Sequence, residues 1–208
     1  MLFNHRHQQV ADYTEGDSLC PLCSGPLIAK RGDIVIWHWA HKAKPNDRNG
    51  CPFAESAWHL SWKSAYLNFK DWEVEYPIVI DGQKYVIDAV NPATGRVREF
   101  VHSLSPYYEA KHQRLLHQFT DISWLFDYRV FGSSRGEYCR DGRGVKNLLK
   151  PRALLCAQTL QPHAKVHLGA KIMRCWKENI WYPIDSGKAD RVIECQAQAM
   201  RDLMGDRL

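Results

Sequence analysis

The apolar positions of this chain change period several times, and each change marks an element. Tyr85–Val90 and Val97–Val101 are short apolar runs flanking the turn-rich segment Asn91–Gly95, which predicts a β-hairpin. Ahead of it, Trp72–Ile80 reads as a strand that Pro77 confines to an edge or a bulge. Asp81-Gly82 then turns the chain into a returning strand at Lys84–Val90, and Arg96–His102 completes a three-strand meander. Residues 52–69 read as a helix. Trp58, Leu60, Trp62, Ala65 and Tyr66 supply its apolar surface, while Glu55, His59 and Lys63 recur at i, i+4 and i+8 on one face. Such a stripe is either a solvated, salt-bridged face or the edge of a site. Pro106–Phe119 reads as a second helix, and Ile122–Val130 as a strand apolar enough to be buried. Helix, meander, helix, strand is the order of an α/β sandwich.

The flanks are less regular. Residues 1–19 form a lead-in with a turn at Glu15-Gly16-Asp17. Leu27–Lys30, Arg31-Gly32-Asp33 and Ile34–Trp39 follow as strand, turn, strand. Residues 132–150, rich in Gly, Ser, Arg and Lys, read as a basic loop of the kind that touches phosphates or lies on an ordinary surface. Three short strands follow at Lys165–Leu168, Lys171–Trp176 and Ile180–Ile184, either extending the sheet or forming an accessory one, and then a final helix near Asp190–Leu203. No internal repeat is present.

Composition narrows the class. The 208 residues, 45% of them hydrophobic, allow one core with a small satellite module. A formal net charge of +5 permits a nucleic-acid partner. Eight Trp and nine Tyr serve core packing or base stacking. The start, MLFNHRHQQV, lacks an apolar leader, and no run approaches the roughly 18 apolar residues of a membrane span. A cytoplasmic, reducing setting is therefore expected. There, close pairs among the seven Cys are metal ligands rather than disulfides.

Two constellations carry chemistry. Cys20-Pro21-Leu22-Cys23, with Ser24-Gly25 behind it, is a zinc knuckle whose tight turn points two thiolates at one cation. Four-coordinate Zn²⁺ needs two more ligands, and His38, His41 and Cys51 compete for the places. The favoured set is Cys20, Cys23, His41 and Cys51, with His38 as the alternative. Cys139, Cys156, Cys175 and Cys195 lack pair spacing and read as incidental. The second constellation is Asp88 and Glu99 on the two runs of the central hairpin. They are either solvated strand carboxylates or a site for a hard divalent cation such as Mg²⁺.

CPLC, the basic turn KRGD, HWAH, the helical E-S-x-x-H-x-x-x-K and the carboxylate hairpin, in this order, resemble the competence protein CoiA-like family over roughly residues 8–130. HWAH stands where that family has H-F-x-H, Glu55-Ser56 and His59 match E-S-x-x-H, and Asp88 matches the first core acid. Glu99 begins E-x-(K/Q), His102-Ser103 matches the following H/C-S, and Glu109 and Arg114 lie in the charged helix. The resemblance implies a restriction-endonuclease-like PD-(D/E)xK mixed sheet flanked by helices. It divides the chain into a zinc-ribbon-like module (1–53), a nuclease-like core (54–131) and a C-terminal α+β extension (132–208). It also implies a metal-dependent DNA nuclease or DNA-processing protein. Asp88 and Glu99 hold Mg²⁺ or Mn²⁺ in that reading, with Glu55 as an outer ligand. His59, Lys63 or Lys111 orient water or neutralise charge. One position departs from the pattern: Val101 replaces the catalytic Lys or Gln. Either Lys63, Lys84, His102 or Lys111 supplies the missing group, or the protein is a degenerate DNA binder. A protein-binding adaptor with structural zinc, acting as a homodimer or with another protein, is the third expectation.

Overall fold

The computed structural model describes residues 1–4, 9–14, 16–31, 37–42, 55–140, 142–161, 163–168, 171–177 and 179–184. The predicted ligand Cys51, the Gly32-Asp33 turn, Cys195 and the helix near Asp190–Leu203 lie outside these residues. A small antiparallel hairpin, β1 (Leu27–Lys30) and β2 (His38–His41), makes up the N-terminal sheet. The main body runs α1 (Ala57–Leu67), β3 (Glu73–Ile80), β4 (Gln83–Asn91), β5 (Arg96–Val101), α2 (Tyr107–Leu115) and β6 (Asp121–Asp127). It continues through α3 (Tyr128–Phe131), β7 (Glu137–Tyr138), β8 (Val145–Lys146), α4 (Pro151–Thr159), β9 (Ala164–Leu168), β10 (Lys171–Lys177) and β11 (Ile180–Pro183). Among the described residues, β3 to β11 form one nine-stranded mixed sheet in the order β3-β4-β5-β6-β9-β10-β11-β8-β7. The pairs β5–β6 and β6–β9 are parallel and the rest antiparallel. No described helix is long and apolar enough to cross a membrane.

The meander forms as its turns dictate. Asp81 and Gly82 both take positive φ (50° and 73°), the backbone a two-residue hairpin needs to match strand twist. Asn91 accepts the Thr94 N–H through its side chain at 3.0 Å, and Gly95 closes that turn at φ 65°. Ser56 caps α1 by accepting the His59 N–H at 3.2 Å. Three expectations need correction. The predicted strand Ile122–Val130 ends at Asp127, because the Asp127 carboxylate accepts the Arg129 N–H (3.0 Å) and starts the helical turn α3. Residues 132–150 hold the short strands β7 and β8, which form the far edge of the sheet. Helix α4 was not predicted, although Pro151 in its first turn is a helix-start signal. Strands β9 to β11 extend the main sheet, the first of the two arrangements the sequence allowed.

Two apolar layers sandwich the sheet. Under α1, Trp58, Leu60, Trp62 and Tyr66 pack on Val74, Ala89, Phe100 and Leu125. On the other face Val90, Val97, Val101, Ile122, Trp124 and Phe126 meet Leu115 of α2 and Ala153 and Ala157 of α4. Strict alternation fails at one place. Val74 lies under α1, but Ile78 and Ile80 belong to the opposite layer. In β4, Ala89 lies under α1, whereas Tyr85 and Ile87 lie opposite. The break falls at Glu75, whose φ of 55° is left-handed, beside Asp88. A residue with that backbone swaps the faces of the strand beyond it.

Candidate functional site

Asp88 and Glu99 sit where the β4–β5 ladder gives way to side chains. The strands pair from Asn91↔Arg96 to Ala89↔Arg98. Asp88 Oδ2 then accepts the Phe100 N–H at 2.8 Å. Across the gap, Lys111 of α2 donates to the Val86 carbonyl at 2.8 Å. Its ammonium also grips both Glu99 oxygens, at 2.7 and 2.8 Å. These groups line a cleft of about 300 Å³ that Leu22, from the N-terminal module, also borders.

Behind Asp88 lies a buried charge cluster. Lys63, fully buried, donates to Glu55, lies 3.1 Å from Glu75 Oε1 and lies 3.1 Å from Asp88 Oδ1. His59 Nε2 is 3.0 Å from the same Asp88 oxygen. The Met1 amino group is 2.6 Å from Glu55 Oε2. Glu75 accepts the N–H groups of Leu2 (2.7 Å) and Phe3 (2.9 Å), which ties the N-terminal segment to the sheet. Burial alone would raise the Asp88 pKa, but His59 and Lys63 outweigh it and hold the carboxyl well below its usual range. Burial would likewise lower the Lys63 pKa, yet Glu55, Glu75 and Asp88 together raise it. Glu99 goes the other way. Burial and the neighbouring Asp88 charge push it up to about 8 against the pull of Lys111. Two adjacent buried carboxylates thus differ sharply in how readily they ionise.

All six predicted site residues, Glu55, His59, Lys63, Asp88, Glu99 and Lys111, therefore meet in or directly behind one cleft. Oxygen and nitrogen donors of Glu55, His59 and Asp88 lie within 4.8 Å of one another, close enough to share a cation, while Glu99 stays with Lys111. Lys84 is exposed on β4, and Glu109 faces a different groove, beside α4. Arg114 reaches Gln83 and the Tyr85 hydroxyl instead of the acids. Sequence reasoning missed Glu75, which the alternation of β3 disguises as a solvent-facing strand residue. It also missed Asp127, whose carboxylate holds His102 at 2.9 Å.

The second constellation lies in the N-terminal module. Cys20, Cys23 and His41 bring their donor atoms within 4.8 Å of one another, and Cys23 Sγ is 3.3 Å from His41 Nε2. The turn is tight: Cys20 N–H donates to the Gly25 carbonyl at 2.8 Å, and Ser24 adopts φ 56°. The Leu22 and Gly25 N–H groups each lie 3.4 Å from a cysteine sulfur. A Cβ on Gly25 would come within 3.2 Å of Cys23 Sγ, so the glycine keeps the pocket open. The register Leu27↔His41 delivers the histidine to the knuckle, whereas His38 and Ala40 occupy the other face of β2. Residues 2–52 match the family model of the competence protein CoiA, N-terminal domain. The CoiA match thus spans the knuckle, the hairpin and the segment that docks on Glu75, and stops before α1. No curated protein and no solved structure matches the chain.

Two sulfurs and an imidazole suit Zn²⁺ in donor chemistry, and the expected fourth ligand, Cys51, lies outside the described residues. Protein purified from zinc-supplemented cells is expected to carry one zinc per chain by native mass spectrometry. Cys23→Ser should lose it and melt at lower temperature, because metal binding contributes directly to the folding of such modules. Metal-free protein with an unchanged melting temperature would exclude a zinc site.

Proposed function

We propose that this CoiA-like protein is a metal-dependent DNA nuclease whose residues 54–131 form a PD-(D/E)xK-type core, following a structural zinc-ribbon module (1–53) and preceding an extension (132–208) that enlarges the sheet. The observation that carries this reading is the Lys111–Glu99 pair beside Asp88. Val101 is fully buried in the apolar layer and offers no polar group. An ammonium on Glu99, delivered from α2, supplies what position 101 lacks.

Asp88, with Glu99 or with Glu55 and His59, has the hard oxygen and nitrogen donors that fit Mg²⁺ or Mn²⁺. Bound there, the cation would acidify water and offset charge on the scissile phosphate. The chain's own residues do the rest. Lys63 keeps Asp88 ionised by holding a positive charge 3.1 Å from Oδ1. Lys111 can move from Glu99 toward a phosphate oxygen and stabilise the charge that builds there. Leu22, Phe100, Tyr107 and Tyr108 line the cleft beside these charged groups.

The test is cleavage of single- and double-stranded DNA by purified protein in Mg²⁺ or Mn²⁺. Wild type should cut, and Asp88→Ala should lose activity on the order of 10³-fold. No cutting by wild type, or equal cutting by Asp88→Ala, rejects the reading. The buried Val101 favours a second reading, a DNA-binding adaptor without catalysis. It predicts salt-sensitive DNA binding that survives Asp88→Ala.

A further inference from the structure

We propose that His102, oriented by Asp127, is the acid that protonates the departing sugar oxygen; this rests on the nuclease reading above. Strand β5 ends at Val101, and His102 lies in the bend that follows. Alternation would send its side chain away from Glu99, yet the bend brings it into the same cleft as Asp88, Glu99 and Lys111. Its Nδ1 is 2.9 Å from Asp127 Oδ2. Asp127 is 1% exposed and stands at the C-terminal end of β6, the parallel neighbour of β5. Arg129 fixes that carboxylate from Nε (3.2 Å), Nη2 (3.1 Å) and the backbone N–H (3.0 Å). The imidazole also stacks on Trp58, with ring centroids 6.1 Å apart at 27°, and Trp58 is itself held by a bond to His167 Nδ1 at 3.1 Å. The ring is thus clamped by a carboxylate at one nitrogen and an indole on one face. Its side chain remains 35% exposed, so Nε2 is the nitrogen left for the cleft.

A carboxylate accepts and cannot donate, so Asp127 calls for a proton on Nδ1 and leaves Nε2 facing the cleft. Asp127 from β6 and Arg129 from α3 hold the ring, His167 from β9 lies behind Trp58, and Glu55 and His59 at α1, Asp88 of β4, Glu99 of β5 and Lys111 of α2 line the same cleft. In the step assigned to it, a water oxygen bonds to phosphorus and the phosphorus–oxygen bond to one sugar breaks. The electron pair stays on that sugar oxygen, and His102 gives it the Nε2 proton. The attacking water releases its proton to solvent, from which His102 is recharged. A structural clamp on the bend would need the same Asp127 bond but no proton at Nε2, so the two roles separate experimentally.

Wild type, His102→Gln and Asp127→Asn should be compared with Mn²⁺ on an oligonucleotide and on the same oligonucleotide bearing one bridging sulfur in place of the departing oxygen. Sulfur leaves without needing a proton. His102→Gln should cut the ordinary link about 10²-fold more slowly or worse. It should cut the sulfur link within a few-fold of wild type and bind Mn²⁺ with unchanged affinity by calorimetry. In metal-free protein, ¹⁵N NMR should show the His102 Nδ1–H hydrogen-bonded in wild type and altered in Asp127→Asn. Equal losses on both links, or no loss on the ordinary one, overturn the role of His102. If wild type cuts neither link, the nuclease reading itself fails and takes this role with it.

Discussion

Lys63→Met is expected to destabilise the protein by about 3–5 kcal/mol at pH 7, the range for removing one partner of a buried ion pair. The physical reason is the company Lys63 keeps. Glu55, Glu75 and Asp88 converge on one ammonium that has no exposure to solvent. Methionine fills the volume but leaves three carboxylates facing one another in a medium that solvates them poorly. The loss should shrink on acidification, and the signs agree from both sides. In wild type, Asp88 and Glu55 have lowered pKa values, so they contribute stability above the usual carboxylate range and lose it as pH falls. In the variant the same groups are hard to ionise, so protonating them at lower pH relieves the strain. Both pH 7.5 and pH 5 lie above the window in which wild type loses stability, so urea unfolding at these two values reads the size of the deficit and its relief by protonation in the variant. A deficit under about 1 kcal/mol at pH 7.5, or one that grows at pH 5, would contradict the charge arrangement.

Lys111→Met should show the opposite profile, with a large effect on cleavage and a small one on stability. Burial and the Asp88 charge push the Glu99 carboxyl up to about 8 even against Lys111, so it can take up a proton at neutral pH once that partner is gone. The remaining cost is the unsatisfied Val86 carbonyl, on the order of 1–2 kcal/mol. Cleavage should fall about 10²–10³-fold, the range for removing one preorganised charge donor. Mn²⁺ binding should be retained or tightened, because a competing cation has left Glu99. Unaltered cleavage would reduce Lys111 to a counter-ion. A loss of cleavage matched by a loss of folding would leave no separate role for it in the reaction. Together the two variants separate a lysine that holds the site in place from one that acts in it.

Much of this architecture was legible beforehand. The Asp81-Gly82 and Asn91–Gly95 turns fixed the meander because their backbone chemistry is local. The Cys20–Cys23 spacing pointed to the cluster with His41 for the same reason. The strand ending at Asp127 and the helix α4 were misread or missed because the capping carboxylate of Asp127 and the Pro151 start signal are weak against an apolar run or a basic loop. The face of α1 posed a harder problem. A Glu–His–Lys stripe on a helix is ordinarily solvated, and nothing in its own sequence says that three carboxylates, one of them Glu75 on another strand, will close over the lysine.

By itself, then, the sequence determined the elements from α1 to β6 apart from the end of β6, the acid pair of the central hairpin and the Cys/His knuckle, since turns, periodicities and ligand spacings act over a few residues. The tertiary structure alone decided which charges are buried and which lysine meets which acid. The face of β3 changes at the left-handed Glu75 and that of β4 at the neighbouring Asp88, and both acids reach Lys63. The gap beside Ala89↔Arg98 admits Lys111, and the bend after Val101 brings His102 to Asp127. Each of these couples residues at least a dozen positions apart. The free energy of a buried charge depends on such distant partners, and no local pattern records them.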